Sequence, residues 1–117
     1  MKRTLLVIDM QRTFDTACAP FVVKGCQREI RSAVRQGDAI LFVEYKGLGP
    51  TMPELKDLTK GYKNVGYTRK WDDGGAREVN AAIWRRDFPL DFRICGVNSN
   101  CCVWETVSEL RNSYMPP

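Results

Sequence analysis

No histidine occurs in the 117 residues of this chain. That removes the commonest general base at neutral pH and the commonest nitrogen ligand of a transition metal. The cysteines number five, an odd count, and no two have the CxxC spacing. Zinc-type ligation therefore has almost nothing to build on, and free thiols in a reducing cytoplasm fit the count better than a disulfide scaffold. Long apolar runs are missing too: residues 5–8 and 39–43 are the longest, far short of the roughly 20 needed to span a bilayer. Met1-Lys2-Arg3-Thr4 leads into a strand-like run without the length or small-residue cleavage pattern of a secretory signal. The expectation is a cytoplasmic protein with no membrane partner.

The composition, 44% hydrophobic and 27% charged with a net charge of +4, is that of an ordinary soluble globular domain. The basic residues are scattered in small groups (Arg28, Arg31 and Arg35; Lys56, Lys60 and Lys63; Arg85 and Arg86), each interrupted by acids or apolar residues. Such groups read as solvated helix faces rather than a nucleic-acid stripe, so no nucleic-acid partner is expected. The modest positive field favours an anionic small-molecule substrate.

Apolar runs at residues 4–9 and 39–45 read as buried strands, with shorter strands at 64–69 and 91–97. Helical spacing occupies 24–36, stopped by Gly37, then 54–60 more weakly, 76–86, and 101–110 behind the cap residues Asn98, Ser99 and Asn100. Residues 11–20 read as a loop. Strands alternating with helices predict an α/β fold, a doubly wound, mostly parallel sheet with helices on both faces, in a single domain over residues 1–117.

In such a sheet the strand ends converge on one crevice. Asp9 closes the first strand, Lys70 follows the third, and Cys102 lies after the fourth at a helix start. A carboxylate, an ammonium and a thiol meeting there make an activated-nucleophile set. A thiol is useful as the thiolate, which a nearby ammonium and a helix N-terminus both favour. Without histidine, the base must be a carboxylate or a lysine. Taken singly, Asp9 reads as a cap, Lys70 as a surface lysine, and Cys26 and Cys95 as small buried hydrophobes.

The phrase Leu5-Leu6-Val7-Ile8-Asp9-Met10-Gln11 with Phe14, the Arg69-Lys70 pair, and Gly96-Val97-Asn98-Ser99-Asn100-Cys101-Cys102-Val103 with Thr106 resemble the motifs of the isochorismatase-like cysteine hydrolases. The resemblance implies Cys102 as nucleophile, Asp9 as the base taking its proton, and Lys70 holding thiolate and acid in place. It also implies a cis peptide between Val97 and Asn98, with the N–H groups of Asn98 and Cys102 as oxyanion donors. Gln11 and Phe14, as motif members, become candidate substrate contacts, and Trp71 beside Lys70 is a further one. Metal-using members place histidines after the second strand, where this chain has Glu44-Tyr45-Lys46-Gly47, so no metal or other cofactor is expected and nicotinamide is disfavoured as substrate.

Family members run on through further strands and helices after the cysteine helix. Here the chain stops at Pro117, so the expectation is a domain incomplete at its C-terminus whose exposed sheet is covered in a homo-oligomer. The leading functional reading is a metal-independent hydrolase of a small amide-type C–N bond acting through a Cys102 thioester. The competing reading is a catalytically degenerate binding protein on the same fold. A redox role for adjacent Cys101 and Cys102 ranks last, since neighbouring cysteines bridge poorly.

Overall fold

Both central strands are apolar on both faces because helices cover each side of the sheet. In the computed structural model, which describes residues 1–71 and 75–96, the strands are β1 (Thr4–Ile8), β2 (Ala39–Tyr45), β3 (Val65–Lys70) and β4 (Phe92–Gly96). All pairings are parallel and the sheet order is β3-β2-β1-β4. The helices are α1 (Pro20–Gln36), the single turn α2 (Pro53–Lys56) and α3 (Ala76–Arg86), with 3₁₀ turns at Asp15–Cys18 and Asp57–Thr59.

Side chains alternate across the strands, so each strand feeds two cores. Leu5, Val7, Ile40 and Phe42 pack with Cys26, Ile30 and Ala33 of α1 and Leu55 of α2. Leu6, Ile8, Leu41 and Val43 pack on the opposite face with Val79, Ala82 and Ile83 of α3. The predicted doubly wound α/β architecture is the observed one.

Element boundaries differ from the sequence reading where local chemistry was ambiguous. Helix α1 begins at Pro20, four residues before the predicted start, because proline at the first helical position loses no needed N–H. Its end at Gly37, with φ of 73°, is as expected. The stretch 11–20, read as a loop, contains the 3₁₀ turn and an antiparallel bridge from Gln11 to Thr51. The weak helix at 54–60 divides into α2 and a 3₁₀ turn. The helix predicted at 101–110 lies outside the described residues.

From β1 the chain winds outward through β2 to β3, and α3 then carries it back across the sheet to β4 on the other side of β1. The strand order therefore reverses between β1 and β4. Open α/β sheets form their crevice at such a reversal, at the carboxyl ends of the strands. Ile8 pairs with Gly96 there, immediately before Asp9.

Candidate active site

Asp9 leaves the end of β1 with a φ of 58°, a left-handed conformation that aspartate tolerates better than most residues. Its own N–H still donates to the Val43 carbonyl at 3.0 Å, holding the residue against β2, and its carbonyl accepts from the Gln11 N–H at 2.9 Å. The side chain is wholly buried.

Lys70, the last residue of β3, is equally buried. Its side chain crosses the end of β2, passing the Tyr45 ring 5.7 Å from Nζ to centroid, and places Nζ 3.2 Å from Asp9 Oδ2. Two charges withdrawn from water are tolerated only as partners. Neither carboxylate oxygen of Asp9 takes a hydrogen bond from a described residue, so the ion pair leaves lone pairs able to accept a proton.

Two glycines bring these groups together, and the sequence reading missed both. A β-carbon at Gly96, where φ is 139°, would fall 2.1 Å from the Ile8 carbonyl oxygen. Only glycine lets β4 close on β1 at that level. Gly75, ahead of α3 with φ of 74°, lies directly on the Lys70 side chain. The sequence signal available was a glycine at the end of a predicted strand and another just before a predicted helix, neither of which names its neighbour.

Gln11 is fully buried, and its amide is engaged by backbone. Nε2 donates to the carbonyls of Tyr45 (3.0 Å) and Gly49 (2.6 Å), while Oε1 accepts from the Tyr45 N–H at 2.8 Å. The geometry makes it a clamp between the loop after β1 and the end of β2. Phe14 is half-buried against the α1-side core. Trp71, 65% exposed, lies under the Lys46 ammonium at 3.4 Å from the ring centroid, and the Lys46 N–H donates to the Lys70 carbonyl at 2.9 Å. The rim beside the ion pair is thus cationic and aromatic. Val97, Asn98 and Cys102 lie outside the described residues, as does the cis peptide expected between the first two.

The carboxylate near the end of β2, Glu44, is engaged by neighbouring residues. It accepts the Thr51 N–H at 2.7 Å and pairs with Lys56 at 3.2 Å. Among the described residues no group of three potential ligands is near enough to hold an ion. Of the other thiols, Cys26 is buried as expected, and Cys95 is half-buried with its side chain packed against the same core.

An α/β sheet of this order with a buried Asp–Lys pair at its reversal point can be compared with known structures. The nicotinamidase of Staphylococcus aureus superposes with a TM-score of 0.74 at 22% identity, covering 99% of this chain and 78% of its own. A MAR1 ribonuclease from Caenorhabditis elegans gives 0.80 at 21% identity, covering 97% and 59% respectively. The N-carbamoylsarcosine amidase of Thermoplasma acidophilum gives 0.67 at 19% identity, covering 99% and 80%. The chain has the isochorismatase-like fold. No protein-family profile matches the chain, and no curated protein sequence does. The fold sets Asp9 and Lys70 at the carboxyl ends of β1 and β3, the same edge of the parallel sheet at which β4 ends. Among the described residues, no helix is long and apolar enough to cross a membrane.

Proposed function

We propose that this chain is a metal-independent cysteine hydrolase that cleaves a small amide-type C–N bond. The observation that carries the reading is the Asp9–Lys70 pair, fully buried at 3.2 Å beside the sheet's reversal point. An ion pair hidden there is costly to keep for stability alone, since a well-packed apolar pair often serves as well. Two of the fold neighbours, a nicotinamidase and an N-carbamoylsarcosine amidase, are named for amide substrates, which supports the reaction class. The scattered basic residues speak against RNA as the substrate.

Cys102 is the proposed nucleophile, six residues beyond Gly96. Asp9 takes the Sγ proton while Lys70 offsets the negative charge on thiolate and carboxylate in turn. The thiolate attacks the carbonyl carbon, and the oxygen of the tetrahedral intermediate is stabilised by the N–H groups of Asn98 and Cys102. Such donors are worth about 10²–10³ in rate. Asp9 returns its proton to the departing nitrogen, the C–N bond breaks, and a thioester remains. Asp9 then deprotonates a water that attacks the thioester, releasing the acid and the Cys102 thiol. The absence of histidine leaves the carboxylate as the base. Lys46 and Trp71 at the rim suit a planar or anionic substrate.

The test is a panel of small primary amides, read by ammonia release from the wild-type, Cys102→Ala and Asp9→Asn proteins. Turnover should fall by about 10³-fold or more in both variants. Equal turnover in wild type and Cys102→Ala would overturn the reading. A wild-type protein without turnover whose Cys102 reacts with iodoacetamide no faster than a model thiol would favour the binding-protein reading.

A further inference from the structure

Cys26 and Cys95 have no part in the proposed chemistry, yet they pack into one core from two different elements. Cys26 is on the buried side of α1, 3% exposed, and Cys95 on β4 packs against the core to which Cys26 belongs. The register around them follows from an observed neighbour pair. Arg93 Nη2 of β4 donates to Glu29 Oε1 of α1 at 2.8 Å. Residues two apart on a strand share a face, and residues three apart on a helix do too. Helix α1 runs antiparallel to the strands it connects, so one step back along it (Glu29 to Cys26) accompanies one step forward along β4 (Arg93 to Cys95). That step puts Cys95 at the level of Cys26, in the core cluster both belong to. Both cysteines are free.

The two thiols are electrostatically unequal. The hydrogen bond from Cys95 pulls the Cys26 pKa below its ordinary value, against the opposing effects of burial and of Glu29. The Cys95 thiol is pushed well up by the same hydrogen bond and by its burial. Cys26 is therefore the thiolate-forming member and Cys95 the protonated one, an asymmetry suited to an attacking and a resolving thiol.

We infer that Cys26 and Cys95 form a reversible intramolecular disulfide under peroxide, tying α1 to β4. The Cys26 thiolate attacks one oxygen of hydrogen peroxide, the O–O bond breaks, and hydroxide leaves to be protonated to water. Cys26 is then a sulfenic acid. The Cys95 sulfur attacks the sulfenic sulfur, the S–S bond forms, and a second water departs with the Cys95 proton. Two thiols are oxidised by two electrons in all, and one peroxide is reduced to two waters. The bond would clamp β4 beside β1, two strands that meet at Ile8 and Gly96 next to Asp9.

The test uses the full chain carrying Cys18→Ser, Cys101→Ser and Cys102→Ser, so that Cys26 and Cys95 are its only thiols. After peroxide, trypsin should release residues 25–28 covalently linked to residues 94–111, with both free thiols lost. The melting temperature should rise by about 5 °C or more and return on adding a thiol reductant, because the bond closes a long loop in the unfolded chain. Two thiols that still titrate, oxidation to sulfinic or sulfonic acid without a link, or a link between two chains would each overturn the proposal. Should the triple variant fail to fold, the wild-type chain is mapped by fragmenting the same linked peptides. A bond from Cys26 to Cys101 or Cys102 would then overturn it. Neither readout depends on hydrolase activity.

Discussion

Gly75 lies against the stem of Lys70: a β-carbon at position 75 would stand 2.7 Å from Lys70 Cδ and 2.8 Å from its Cβ. The backbone that carries α3 to the sheet thus fixes the path of the lysine that reaches Asp9. Gly75→Ala must push that stem aside and also adopt a φ of 74°. We expect a stability loss of about 1–3 kcal/mol in urea unfolding. Amide turnover should fall more than the fraction folded does. A variant with wild-type stability and rate would show that the stem has room to shift.

Removing Lys70 leaves Asp9 as an uncompensated charge in a dry site. Lys70→Met should cost about 3–5 kcal/mol, the range for breaking a buried pair from one side. Adding Asp9→Asn removes the stranded charge and should restore a large part of that loss, while leaving turnover abolished. Strictly additive losses in the double variant would mean that the two groups do not depend on each other.

Glu44 gives a pH dependence whose sign can be worked out. Burial pushes its carboxyl up, but the hydrogen bond from the Thr51 N–H and the Lys56 ammonium together outweigh this, and the net pKa lies below the ordinary glutamate value. As pH falls, the unfolded chain therefore takes up the proton before the folded one does. Glu44 stabilises the fold at neutral pH, and this contribution is lost as pH drops through the ordinary glutamate range toward the lower folded value. Glu44→Gln should flatten the acid side of a stability–pH curve and lower stability at pH 7. An acid limb as steep as that of the wild type would count against this assignment.

Gln11 offers a contrast between two nearly isosteric substitutions. Nε2 faces two carbonyl oxygens, those of Tyr45 and Gly49, while Oε1 accepts a backbone N–H. Gln11→Glu aims a carboxylate oxygen at both carbonyls in a fully buried site. It should destabilise by about 2–4 kcal/mol, more at pH 8 than at pH 5, where the acid can protonate and donate. Thermal melts at the two pH values check this. A Gln11→Glu protein as stable as wild type at pH 8 would place the residue outside the clamp described here.

The strand and helix positions were legible because burial on both sheet faces leaves an apolar run that can be read directly. Residues 39–45 were located to the residue for that reason, and 76–86 by the helical spacing of Val79, Ala82 and Ile83. The start of α1 was not, since Pro20 and Phe21 read as well in a loop as in a first helical turn. Asp9 and Lys70 were picked out by their place at strand ends. What Gln11 does was not, because a glutamine carries the same two dipoles toward a substrate or toward backbone.

The composition and order of residues alone determined the α/β alternation, the lack of histidine, and the short list of groups able to do chemistry. Those follow from local periodicity and from an inventory of side chains. Tertiary structure decided that Lys70 crosses β2 to meet Asp9, that Gly75 and Gly96 make the approach possible, and that Cys26 and Cys95 pack into one core. All but the contact of Gly75 with Lys70 are meetings of residues tens of positions apart, and sheet order and helix packing set their separation, which no spacing along the chain encodes.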